Sequence, residues 1–395
     1  MTEPAHATVA ADFPLFEGGP FAKVHEVLRL AGTERRHLWR SVAVAVLVTW
    51  VPLAVLAALQ GRAIGPDWHT SMITDVSMAA RFLVALPLLI LAPLGLRLEL
   101  QAMVPHFLSA GLVREADRER FLANIRAILR WRDSRAATAV LVALVIGVAV
   151  VFRSLTVEMP DSWRTLGTGG ERRLSLAGMW LVAIGEPLYD LAMLQLAYRV
   201  ALWWWFLWRT SRLDLRVDAA HPDGAGGLAF LARLLPAFRL PLFAVGASGA
   251  GSVANLMLLT GAKFVSFQSA IFVTVIVLVA LTAVPLTFFN RKVAEAKRRA
   301  ALAWGAVVGR QLRAYEEAWS ALASTSAAEL LQVPECPAYR DLSALTVAAQ
   351  KANTLPFRMV QLAPLLVAAL LPFLPAAAID VPLKDILIQA WRLVK

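Results

Sequence analysis

Apolar residues fall in seven blocks of bilayer length, at 41–60, 77–96, 136–152, 174–207, 240–260, 266–289 and 359–379. A backbone amide in lipid must find its partner within its own segment, so each block is predicted to be a helix. The short alternating strands of an outer-membrane barrel are absent from the pattern. The expected fold is therefore all-α: a polytopic transmembrane bundle of about seven apolar segments, with amphipathic helices at the cytoplasmic side. Pro364, Pro372 and Pro375 interrupt the last block. A straight helix there is disfavoured, and a re-entrant hairpin is the alternative.

The polar stretches divide the chain further. Residues 1–40 form an N-terminal segment, 41–96 a first helical pair, and 97–135 a connection. The membrane core is at 136–289, then a helical region at 290–358 and a last membrane segment with its tail at 359–395. Within the connection, Phe121, Ile125, Ile128 and Leu129 share one helix face, with arginines elsewhere. That pattern predicts an amphipathic helix lying on the membrane or against a neighbour. Trp304, Val308, Tyr315, Trp319 and Leu322 continue the sixth span as a cytoplasmic helix, and a second helix is expected near 341–351. Ile386, Leu387, Ala390 and Leu393 predict an interfacial helix in the tail.

Charge sets the expected orientation. The N-terminal stretch and the connections at 97–135, 209–239 and 290–358 carry 28 Lys and Arg residues, the alternate set 10. Arg81 is counted with the turn at Arg62, and Arg199 is left inside the fourth segment. Cationic loops stay cytoplasmic, which places the N-terminus inside. A hairpin at the last block would bring Lys384, Arg392 and Lys395 inside too and sharpen the bias to 31 against 7. The first apolar block starts forty residues in, too late for a cleavable signal peptide, so that span is expected to be the uncleaved targeting signal.

Composition agrees with this class. Of 395 residues 58% are hydrophobic and only 17% charged, which excludes a disordered chain and a conventional soluble enzyme. The net charge of +11 is expected to face anionic headgroups rather than nucleic acid, because no recognition motif accompanies it. The one cysteine, Cys336, excludes an intrachain disulfide and argues against a thiolate metal site. No cofactor or metal is expected. The expected partners are the bilayer with its anionic headgroups and, as an open alternative, further copies of the chain.

Three constellations carry candidate chemistry. In the fourth block Glu186 and Asp190 share a helix face, about 6 Å apart along the axis. Two carboxylates that close repel in low dielectric, so they are expected to share a proton or a cation, either lining a polar pathway or meeting the outer interface. Arg199 lies about 180° round the helix from Asp190. It needs another helix, a water-filled space, or a route to the belt at Trp203, Trp204, Trp205 and Trp208. The second is the stretch 245–255, where Gly246, Ser248, Gly249, Gly251 and Ser252 strip bulk from a span. It predicts either close helix packing or a locally unwound, solute-lining stretch. Asn255, Lys263, Ser266, Gln268 and Ser269 add polar groups, Lys263 near the outer mouth.

The third is HPDGAGGL, residues 221–228, whose glycines lack the lysine and the preceding strand of a phosphate loop. It reads as a turn in which Pro222 fixes φ and Asp223 caps a helix from about Ala225. The alternative is a ligand or gating loop formed by His221, Asp223, Gly224, Gly226 and Gly227 at the cytoplasmic mouth. Asp67 and His69 form an isolated pair. No Ser–His–Asp arrangement, HExxH or GxSxG occurs, so no catalytic residue is assigned.

Two stretches, LWWWFLWRTSRLDLRVDAAHPDGAGGLAFLARL at 202–234 and AYRDLSALTVAAQKANTLPFRMV at 338–360, resemble an uncharacterised family of bacterial multi-pass inner-membrane proteins. The likeness covers roughly the C-terminal half. It implies location and topology, and no activity. The chain has Asp218, Ala219 and Ala220 before His221, where that resemblance implies a Pro-Thr-like approach.

The leading expectation is a channel or transporter for an ion or small polar solute. The alternatives are a membrane-embedded enzyme using His221 and Asp223 on a lipid-type substrate, and a scaffold whose cytoplasmic helices bind a partner.

Overall fold

The computed structural model describes residues 13–16, 35–65, 70–158, 162–167, 173–322 and 337–380. The pair Asp67 and His69, Cys336, the tail at 381–395 and the side chains of Tyr315, Trp319 and Leu322 lie outside them.

The described chain is an all-α bundle. Six stretches are long and apolar enough to cross a membrane: His37–Leu59, Val76–Ser109, Arg135–Thr156, Ala229–Thr260, Phe264–Ala314 and Met359–Ala377. We label the helices α1 (Arg35–Leu59), α2 (Val76–Ser109), α3 (Glu115–Arg132), α4 (Arg135–Glu158) and α5 (176–211). They continue with α6 (Ala229–Thr260), α7 (264–322), α8 (Pro337–Lys351) and α9 (Met359–Ala377). The seventh expected segment is α5. It runs between the same two ends of the bundle, but Glu186, Pro187 and Asp190 dilute its apolar run. The protein is a multi-pass membrane protein. Its outer faces bear the apolar side chains a lipid-facing surface requires: Leu47, Val51 and Val55 on α1, Ile146, Val148 and Val150 on α4, and Phe272, Val273 and Val277 on α7 are all exposed.

One end is built around Asp75. Its carboxylate caps α2 by accepting from Met78 N at 3.1 Å. It also accepts from Trp163 Nε1 at 2.9 Å and Arg164 Nη2 at 2.5 Å, all in a buried setting. A two-residue antiparallel pair, β1 (Thr165–Leu166) with β2 (Arg173–Leu174), adjoins that arginine. Arg62 ties the α1–α2 turn to the same hairpin through the carbonyls of Ser162 and Thr165.

The other end carries α3, α8 and the HPDGAGGL loop. As the periodicity predicts, α3 is amphipathic. It lies against the bundle, with Phe121, Leu122, Ile125 and Ile128 buried. Asp117 locks it to the chain leaving α5, accepting from Asp214 N at 2.8 Å and from Arg120 at 3.0 Å. The sixth span does run on, as expected, through a 3₁₀ stretch at Val284–Phe289 into Asn290–Leu322. Ala296 of that extension packs with Ala219 and with Ala349 of α8.

The last segment is one rod rather than a hairpin. It contains a 3₁₀ step at Leu371–Phe373, where the proline at 372 removes a helical donor. Shortly before the segment, Asn353 N donates to Gly224 O at 2.7 Å at the HPDGAGGL end. Shortly after it, Asp380 accepts from Phe264 N at the Asp75 end. The segment therefore traverses the bundle, and the re-entrant alternative is overturned.

The small-residue stretch is packing, not unwinding: Arg239–Thr260 is regular helix throughout. A Cβ at Gly251 would come within 2.5 Å of the Ala80 Cβ and 3.0 Å of the Val76 carbonyl, so α6 and α2 touch nearly backbone to backbone. Gly251→Leu is expected to drive the two helices apart and cost about 1–3 kcal/mol or more, as overpacking does. Thermal unfolding in detergent would read this as a large drop in midpoint. An unchanged midpoint would contradict the close approach.

Candidate functional site

The intramembrane polar cluster is assembled where α2, α5 and α6 meet. Two of these helices are interrupted by π turns, at Ala80–Ala85 in α2 and Leu181–Gly185 in α5. A π turn inserts an extra residue and re-aims the side chains beyond it; such turns concentrate at functional positions. Here they carry Arg81 and deliver Glu186. Arg81 Nη1 donates to both Glu186 oxygens, at 2.6 and 2.7 Å. Glu186 is 3% exposed and Arg81 17%, so the pair is nearly shut off from the surface. The guanidinium also lies 5.2 Å from the centroid of the Tyr189 ring. Ser248 of α6 faces the Tyr189 side chain. Gly185 leaves the room by which the Phe82 ring reaches α5.

Counting charges along the sequence places Arg81 in a turn. The structure corrects this: Arg81 lies inside the second span and is the cation that Glu186 shares. Asp190, one turn beyond Glu186, is half-buried, and its Oδ2 is sealed off without a hydrogen-bond partner among the described residues. The Nε of Arg81 is likewise buried without one. Buried polar atoms are rarely left so, and each calls for a reason. From α6, Ser252 comes to 3.4 Å from Ser77 on α2 and donates to the Ser248 carbonyl. Asn255 is three residues further along α6, half-buried. Lys263 is exposed at the Asp75 end, outside the cluster.

Arg199 does not join this cluster. It points from the opposite face of α5 and donates to the Phe16 carbonyl at 2.7 Å. The short N-terminal stretch that supplies this carbonyl buries Phe13, Leu15 and Phe16, and the Phe13 ring lies 5.2 Å from Phe206. Arg132 holds the same stretch through the Pro14 carbonyl. Arg199 thus clasps the N-terminal stretch. The expected tryptophan belt is also split. Trp203 is buried at 1%, whereas Trp205 and Trp208 lie beneath Arg209 and Arg212 as cation–π partners.

The HPDGAGGL loop is a separate construction. Asp223 does not simply cap a helix from Ala225. Its two oxygens accept from the backbone of Ala225 at 2.9 Å, Gly227 at 3.0 Å and Ala229 at 3.0 Å, knotting the whole loop. The next helical turn begins only at Ala229. Gly226 and Gly227 take φ of +71° and +88°, which L side chains rarely adopt without strain. Burial alone would raise the Asp223 carboxyl, but the backbone donors and His221 outweigh it and hold it below the ordinary carboxylate range. A depressed folded-state pKa contributes stability above the unfolded value, roughly pH 4, and loses it as pH falls through the lower folded value. Wild-type thermal stability is expected to fall on acidification from about pH 4 downwards more steeply than that of Asp223→Asn. Parallel slopes would contradict the assignment.

Comparisons with protein-family models, with curated proteins and with solved structures match nothing to this chain. Among the described residues no group of three or more His, Cys, Asp or Glu side chains could hold a metal ion. The candidate chemistry therefore rests on the cluster's own geometry. Glu186 and Asp190 stand out in the sequence, as do Ser248, Ser252 and Asn255 of the small-residue stretch. Arg81, Tyr189 and Ser77 do not. A lone arginine only four residues into an apolar run is the available sign for the first.

Proposed function

We propose that the protein is a channel or transporter for an ion or a small polar solute, in a bacterial inner membrane with its N-terminus cytoplasmic. The orientation rests on the cationic bias of alternate loops, and the bacterial inner membrane on the resemblance of residues 202–234 and 338–360 to multi-pass proteins there. The observation that carries the transport reading is Asp190 Oδ2, buried without a partner one turn from a completed Arg81–Glu186 pair. Arg81 neutralises Glu186 and fixes it, which leaves Asp190 as the carboxylate able to accept a cation or a proton. Ionisable groups inside a span are costly and rare, and where they occur they commonly mark an ion or solute path. The hydroxyls of Ser248 and Ser252 and the amide of Asn255 continue the polar surface along α6, with Ser77 facing them from α2. The small residues between them let the three helices close around it.

Flux into liposomes carrying the purified protein tests this. Protons, sodium and potassium are offered in turn under an imposed gradient. Asp190→Asn, which keeps size and removes the charge, is expected to reduce flux at least tenfold while leaving yield and oligomeric profile unchanged. Absence of flux for every solute, or equal flux in the variant, would overturn the reading.

A further inference from the structure

The transport reading leaves the HPDGAGGL loop and the cavity beneath it without a role. That cavity, about 360 Å³, lies between the polar end of α2 and the start of α6, with the loop as its rim. Small-molecule sites begin at about this size. Glu99 and His106 lie on one face of α2, seven residues and therefore about 10 Å apart along the axis. Phe230 meets the His106 ring edge-on, 4.6 Å between centroids, which registers the start of α6 against the mouth. Arg233 is three residues further along a 3₁₀ stretch running the opposite way, so about 6 Å deeper than Phe230. From the level of the His106–Phe230 contact, Glu99 thus stands about 10 Å along one wall of the cavity and Arg233 about 6 Å along the facing wall.

Both charges line the cavity, and among the described residues neither is engaged in an ion pair. Two opposite charges that line one cavity without closing on each other leave room for a molecule bearing the complementary pair. Three of the loop's amides, those of Ala225, Gly227 and Ala229, already serve Asp223. Anion recognition falls to the guanidinium, whose fork suits a carboxylate. Met103 and Phe230 supply an apolar wall beside it.

We infer that this cavity binds a free amino acid as its zwitterion, the ammonium on Glu99 and the α-carboxylate on Arg233. The knotted loop, fixed by Asp223 and by Asn353 N on Gly224 O, holds His221 at the mouth as a lid support. The site is distinct from the intramembrane cluster, and its test reads binding rather than flux.

Each of the twenty proteinogenic amino acids is titrated singly into the purified full chain in detergent and followed by calorimetry. At least one is expected to bind saturably. Glu99→Gln and Arg233→Ala are each expected to weaken that binding at least tenfold, and Asp190→Asn to leave it unchanged. The same ligand lacking its carboxylate, or with its amine acetylated, is expected to lose most of its affinity. Glu99 is partly and Arg233 largely exposed, so both variants retain the fold, and unchanged unfolding midpoints verify this. No binding by any amino acid, or binding indifferent to both variants, would overturn the inference.

Discussion

Arg81→Ala is expected to destabilise the bundle by about 3–5 kcal/mol, because it strands the buried Glu186 carboxylate without its cation. The reciprocal change Glu186→Ala strands Arg81, whose Nε is already without a partner, and is expected to cost a similar amount. Removing both, as Arg81→Leu with Glu186→Leu, is expected to recover most of the loss, since two apolar side chains of similar volume suit the same site. With Arg81→Leu and Glu186→Leu as the two single variants, the four unfolding midpoints in detergent form a double-mutant cycle. Additive losses would show that the two groups do not interact.

Asp75→Ala is expected to be as damaging, about 3–5 kcal/mol, for a related reason at the other boundary. Asp75 is 6% exposed and serves the first turn of α2, Trp163 and Arg164 at once. Its loss leaves the Arg164 guanidinium, whose side chain is 8% exposed, without its carboxylate. It also removes a helix cap, worth about 1 kcal/mol by itself. Asp75→Asn keeps an acceptor for Met78 and Trp163 but not the charge, and should fall between wild type and Asp75→Ala. Thermal unfolding in detergent reads the loss. An Asp75→Ala midpoint within about a degree of wild type would contradict the buried network, since a loss of this size shifts the midpoint by several degrees.

Both predictions turn on partners that lie far apart along the chain, where local pattern has no reach. Helical spans were legible because bilayer length and backbone satisfaction act within one segment. The same holds for α3, whose apolar face at Phe121, Ile125 and Ile128 is a local period. Glu186 and Asp190 were legible as costly charges in an apolar run. The partner of Glu186 was not, since Arg81 is 105 residues away and its position at the edge of a block reads equally as a turn. The two π turns that bring them together have no local signature in ARFLVA or LVAIG. Arg199 misled for the same reason: its partner is the carbonyl of Phe16, a backbone atom that no residue type announces. In the loop, the glycines and Asp223 were legible as turn chemistry. The reach of one carboxylate over three amides, and the cavity that results, emerge only once α2 and α6 are side by side.

On the transport reading, Asp190 and the serine face of α6 meet water inside the bundle. Substituted-cysteine labelling tests it most directly, since replacing Cys336 by serine leaves a chain without thiols. Ser252→Cys in that background is expected to react with a small, charged, membrane-impermeant thiol reagent in intact vesicles. Val148→Cys, on the lipid-facing side of α4, should not react, and Lys263→Cys at the exposed end should react fully. If Ser252→Cys stays as inert as Val148→Cys while Lys263→Cys is labelled, the cluster is dry and the account of a polar path through the bundle is wrong.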